Sequence, residues 1–169
     1  QSVRLNGPLV QPGSGDVTDF AISRSGASVV FRADQAEDGV FELFAAPRDG
    51  GSSAVRLHAP LVGGARDVLS FAPAAGERVL FVADLAGDEL FELYAAPLDG
   101  SATPTKLSGT LVTGGDVSDF QLTPDGTRAV FLADLLVNDI PELFSVPVDG
   151  SAPPLQLDPV NRTLLALFA

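Results

Sequence analysis

The sequence predicts an all-β fold of β-propeller blades: three four-stranded antiparallel repeats of about 50 residues. Two observations carry this. Phe31, Phe81 and Phe131 stand 50 residues apart, and the triples Asp34/Asp84/Asp134, Glu42/Glu92/Glu142, Pro47/Pro97/Pro147 and Gly50/Gly100/Gly150 keep the same register. Gly and Pro also punctuate the chain every 8 to 12 residues or so, which leaves no uninterrupted window for a stable amphipathic helix. Phe20, Phe71 and Phe120 depart from the period by one residue. That departure marks the turn before Gly76 as a loop.

The elements follow in order. "SVRLNGPLV" (Ser2 to Val10) matches "AVRLHAPLV" (Ala54 to Val62), so Val3, Leu5 and Val10 correspond to Val55, Leu57 and Val62. Residues 1–12 therefore read as an extra outermost strand with no blade of its own. Blades are expected over 13–62, 63–112 and 113–160, with a C-terminal apolar tail over 161–169. The first strand of each unit is "DVTDFAIS", "DVLSFA" or "DVSDFQLT", where apolar and polar residues alternate. A turn ending in Gly26, Gly76 or Gly126 follows; in "TPDG" Pro presets φ and Gly accepts a positive value. The second strand, "ASVVFRAD", "RVLFVAD" or "AVFLAD", is apolar on both faces and so predicted to be buried on both. The third, "VFELFAAP", "LFELYAAP" or "IPELFSVP", closes in an Asp-Gly turn. The fourth is "AVRLHAPLV", "TKLSGTLV" or the shortened "PLQLDPV".

"LTPDGTRAVFLAD" followed by "ELFSVPVDG" resembles the Pro-Asp-Gly repeat of TolB-type β-propellers, in three copies covering nearly the whole chain. The first copy has "SRSG" and the second "PAAG" in place of the motif. The resemblance implies a propeller and no particular activity, since propellers of this kind serve as binding platforms, lids and enzyme appendages.

Composition narrows the function. Net charge is −12, which repels phosphate backbones and argues against a nucleic-acid partner. No apolar run approaches the length of a membrane span. Cysteine is absent, so disulfides, thiolate metal sites and a cysteine nucleophile are excluded. Methionine is absent even at position 1, so the chain is expected to be processed, excised or incompletely represented, and to be secreted, periplasmic or at the cell surface.

The search for chemistry is mostly negative. His58 is the single histidine, at a polar register of an outer strand, and is expected at the surface. Asp34, Asp38, Gly39 and Glu42 partly match an oxygen-rich calcium hairpin, but Ala36 stands where a third ligand belongs. A polar hairpin turn at Asp34, Asp84 and Asp134, with no metal or cofactor, is the preferred reading. Glu42, Glu92 and Glu142 interrupt an apolar strand and must find donors, from backbone or from an Arg of the adjacent unit. Asp16, Asp19, Asp116 and Asp119 begin innermost strands and could form an acidic channel mouth. No nucleophile–base constellation is present, so the protein is expected not to be an enzyme.

Three blades do not close a wheel. Each end of the array should present an apolar face, completed by oligomerisation or by a longer parent chain. The expected function is a structural or protein-interaction module that self-assembles, as a six-bladed dimer or an open filament, through those faces and an exchanged N-terminal strand. The expected oligomer interface comprises Val3, Leu5, Leu9, Val10, Leu164, Leu165, Leu167 and Phe168. A ligand- or cation-binding sensor using the acidic channel is the alternative, and a propeller segment of a hydrolase the third.

Overall fold

The computed structural model describes residues 2–10, 15–61 and 66–157. The expected interface residues Leu164, Leu165, Leu167 and Phe168 lie outside them. Among the described residues the fold is all-β. Blade 1 holds β1 (Val17–Ile22), β2 (Ser28–Ala33), β3 (Glu42–Pro47) and β4 (Val55–Arg56). Blade 2 holds β5 (Val68–Ala74), β6 (Arg78–Ala83), β7 (Glu92–Pro97) and β8 (Thr105–Lys106). Blade 3 holds β9 (Val117–Leu122), β10 (Arg128–Ala133), β11 (Glu142–Pro147) and β12 (Leu155–Gln156). Each blade is a four-stranded antiparallel sheet in sequence order.

The register explains the repeated phenylalanines. Phe31 stands between Phe20 and Phe44, Phe81 between Phe71 and Tyr94, and Phe131 between Phe120 and Phe144. The rings on the second and third strands stack at 5.6, 5.7 and 5.5 Å between centroids. A cross-strand aromatic row thus braces every blade.

Alternation along β2 and β3 gives each blade two unlike apolar faces. One bears the aromatic ring and alanines, as Phe81, Ala83, Tyr94 and Ala96 do in blade 2; the other bears branched aliphatics, as Leu80, Val82 and Leu93 do. The aliphatic face of blade 1 (Val30, Leu43, Ala45, Leu57) packs on the aromatic face of blade 2. The aliphatic face of blade 2 packs in turn on Phe131, Ala133, Phe144 and Val146 of blade 3. Burying a ring such as Phe81 fully is worth about 2–3 kcal/mol, so these two seams dominate stability.

The inner turns hold the blades together at one end. Asp125 Oδ1 accepts from Thr123 Oγ1 at 2.6 Å and from Thr127 N at 3.1 Å, which holds the Asp125 carboxyl down to about 2. Gly126, at φ +71°, offers its carbonyl to Ala75 N of blade 2 at 2.9 Å. Arg24 Nη2 of blade 1 donates to Pro124 O of blade 3 at 2.5 Å. The first and third blades therefore touch at their inner turns.

Two expectations are corrected. The fourth strands are two residues long, not the full "AVRLHAPLV" and its counterparts. His58 is buried rather than at the surface. Its Nε2 accepts from Leu43 N at 3.0 Å and Nδ1 lies 2.7 Å from Ala59 O, while its ring is 6.2 Å from Phe81 of the next blade. That geometry selects the neutral Nδ1–H tautomer, and burial lowers the His58 pKa.

Candidate interaction faces

Among the described residues the buried glutamates find donors inside their own blades. Glu42 Oε1 accepts from Arg56 Nη1 at 3.0 Å and from Leu61 N at 3.1 Å. Glu92 takes Tyr94 OH at 2.5 Å and Lys106 Nζ at 2.8 Å. Glu142 Oε2 takes the backbone N–H groups of Leu135 and Leu136 at 3.2 and 3.3 Å. Each carboxylate ties the third strand to a flanking loop or to the fourth strand, a positioning role with no exposed reactive atom.

The loop aspartates are likewise committed to backbone. Asp34 accepts from Asp16 N on one oxygen and from Gly39 N at 3.0 Å on the other. Asp134 Oδ2 accepts from Asp139 N at 3.0 Å. Asp84 accepts from Asp67 N at 2.7 Å through Oδ1, its Oδ2 is buried, and desolvation raises its pKa. Asp34 and Glu42 thus turn to different partners, and among the described residues no three acidic or histidine side chains gather as a metal-holding group.

A second aspartate builds the seams between blades. Asp67, just before β5, accepts Phe41 N of blade 1 at 2.7 Å, and Val68 N returns a bond to Phe41 O at 2.8 Å. Asp116, just before β9, accepts Phe91 N of blade 2 at 2.8 Å, and Val117 N donates to Phe91 O at 2.8 Å. Here Gly115 is required, because a Cβ at that position would collide with Asp134 O. Arg32 reinforces the first seam, donating to Val68 O and Leu69 O at 3.1 and 2.6 Å with its guanidinium 5.2 Å from the Phe41 ring centre. Sequence reasoning missed this clamp, although an Asp precedes the innermost strand in all three units. Of the expected acidic channel residues, Asp116 is consumed by the clamp. Asp19 and Asp119 stay exposed and cap the N–H of Phe20 and Phe120, each at 2.8 Å.

The array ends on two apolar faces. On blade 1, Val17 is 42% exposed where Val68 and Val117 are 0% and 2%, and Phe20 is 69% exposed. With Ile22, Val29 and Phe31 these residues line a shallow groove beside Leu5 and Asn6. On blade 3, Val130, Leu132 and Leu143 face outward around another hollow.

The N-terminal interface residues stand differently from expectation. Residues 2–10 form no strand and lie against blade 1 of their own chain. Leu5 packs on the Phe31, Ala33, Phe44 and Ala46 cluster, and a Cβ on Gly50 would collide with Val3. Leu9 and Val10 are half-buried, both beside Gly15. In this chain β12 pairs with β11 (Phe144↔Gln156, Ser145↔Leu155), so the third strand of blade 3 carries a fourth strand of its own.

Comparison with known proteins agrees at the level of fold. A model of the lipoprotein LpqB beta-propeller domain matches residues 1–157. The match names that propeller rather than the TolB type. Among solved structures, a Mycobacterium tuberculosis puromycin-hydrolyzing peptidase aligns with TM-score 0.61 and 20% identity over 92% of this chain and 25% of its own. The chain thus spans about a quarter of that peptidase. No curated protein matches. Among the described residues no helix is long and apolar enough to cross a membrane.

Proposed function

The chain belongs to the lipoprotein LpqB beta-propeller domain family, and from that premise we propose that it is a non-enzymatic protein-interaction module of the cell envelope or exterior. It works by docking further propeller blades on its two open faces. One observation carries the reading: Val68, packed on the blade before it, is 0% exposed, whereas its repeat equivalent Val17 is 42% exposed in this chain. A surface built by the same sequence pattern as two packed seams is suited to the same kind of partner. Such faces admit a second copy, giving a six-bladed dimer or a filament, or a blade of different sequence, whether in a longer parent chain or in another protein.

A photo-cross-linking residue at Phe20 and at Leu132, with Thr103 as a control away from both faces, tests this in the source cells. Adducts at the two faces and not at the control are expected. Absence of adducts from both faces in a folded, expressed chain overturns the reading. The second reading, a propeller segment of a hydrolase, is favoured by the peptidase among the structural neighbours. Hydrolytic turnover by the purified chain or its parent, lost on substitution within a described blade, would support it.

A further inference from the structure

We propose that the Phe31/Phe44 face of blade 1 takes a blade of different sequence from this chain's own third blade: one that offers a backbone N–H to Asp16 and leaves its outer edge free. The inference rests on the docking reading and specifies its partner.

Two seams inside the chain show what a blade requires of the one before it. The aspartate before the innermost strand receives the N–H of the residue that precedes the buried glutamate, Phe41 for Asp67 and Phe91 for Asp116. At blade 1 the receiving half stands ready. The Asp16 carboxylate is exposed and accepts no hydrogen bond among the described residues.

The matching position on blade 3 is Pro141, which has no N–H to give. A second copy docked in the geometry of the internal seams would set Asp16 against that proline and desolvate the carboxylate without its donor. Ser145 is a second mismatch. It replaces Ala45 and Ala95 on the aliphatic face, and its Oγ is held by Arg128 Nε at 3.0 Å, so a polar pair stands where a neighbour would meet a methyl.

The third mismatch is steric. Val3 and Leu5 approach Gly50 as Val55 approaches Gly100 and as Thr105 and Leu107 approach Gly150. Residues 2–10 therefore already fill the place of a preceding blade's fourth strand. Blade 3 brings its own fourth strand, β12, so a second copy would claim that place twice. The fitting partner is a three-stranded blade with branched aliphatics on the facing side and a non-proline residue, aromatic by analogy with Phe41 and Phe91, before its buried glutamate.

Sedimentation equilibrium of the full chain at micromolar concentration tests this, alongside D16A and a converted chain lacking residues 2–10 and carrying P141F and S145A. The wild-type chain is expected to stay monomeric. The converted chain is expected to associate head to tail, and adding D16A should weaken that association by about tenfold or more, the scale of one desolvated charged hydrogen bond. Wild-type self-association weakened by D16A would overturn the exclusion of a second copy. A folded converted chain that associates no more than wild type would overturn the clamp. Should the converted chain fail to fold, a mixture of the P141F chain with a chain lacking residues 2–10 supplies the same two faces, and a complex that D16A in the shortened chain does not weaken, or no complex at all, overturns the clamp. Cross-linking at Phe20 and Leu132 is independent of all these outcomes, so the docking reading and the partner assignment fall separately.

Discussion

Replacing Arg56 with methionine should cost about 2–4 kcal/mol, most of it through Glu42. The Glu42 side chain is 1% exposed, and Arg56 Nη1 sits 3.0 and 3.1 Å from its two oxygens. Breaking a buried pair by removing one partner typically costs about 3–5 kcal/mol, because the remaining charge is stranded. The Arg56 side chain is 30% exposed, so water screens one flank and the figure is discounted accordingly. Leu61 N at 3.1 Å would remain as a donor and keeps the loss from being larger. Methionine preserves the packing of the arginine stem, which isolates the charge. Urea denaturation of Arg56→Met, Glu42→Gln and the double variant gives the coupling directly. Lys106→Met should cost less, since Tyr94 OH still donates to Glu92 at 2.5 Å. An Arg56→Met loss below about 0.5 kcal/mol, or one that is the same in the Glu42→Gln background, would refute the reasoning.

Three other outcomes are expected. Glu89 occupies the left-handed region at φ 55°, where Gly39 sits at φ 80° in blade 1, so Glu89→Gly should stabilise by about 0.5–1 kcal/mol and raise Tm by a few degrees in calorimetry; a lower Tm counts against strain there. His58 is held neutral by burial, with a folded pKa below its unfolded 6.5, so the unfolded chain binds the extra proton and stability should fall as pH drops through about 6.5; a His58→Gln chain with the same pH profile would remove that assignment. Leu5→Asp should destabilise the chain by about 1–2 kcal/mol through its contact with the Phe31 cluster, independently of protein concentration. A concentration-dependent effect would instead reinstate strand exchange between copies.

The four-stranded all-β repeat was legible in the sequence because strand identity is local. Alternation at Phe20 and Ile22, the turn chemistry of "TPDG" and the recurrence of Phe31, Phe81 and Phe131 each act within a few residues. The need of Glu42 and Glu92 for donors was legible too, since any carboxylate inside an apolar strand must be satisfied. Which donors they took was not, because Arg56 and Lys106 reach them only once the short fourth strand pairs with the third. Tertiary structure alone decided the rest. His58 is buried by Phe81 from the next blade, Asp67 and Asp116 become clamps only against Phe41 and Phe91, and Arg24 meets Pro124 across 100 residues of chain. Val17, Val68 and Val117 are alike in sequence and unlike in exposure, because burial belongs to what packs on a residue and not to the residue itself.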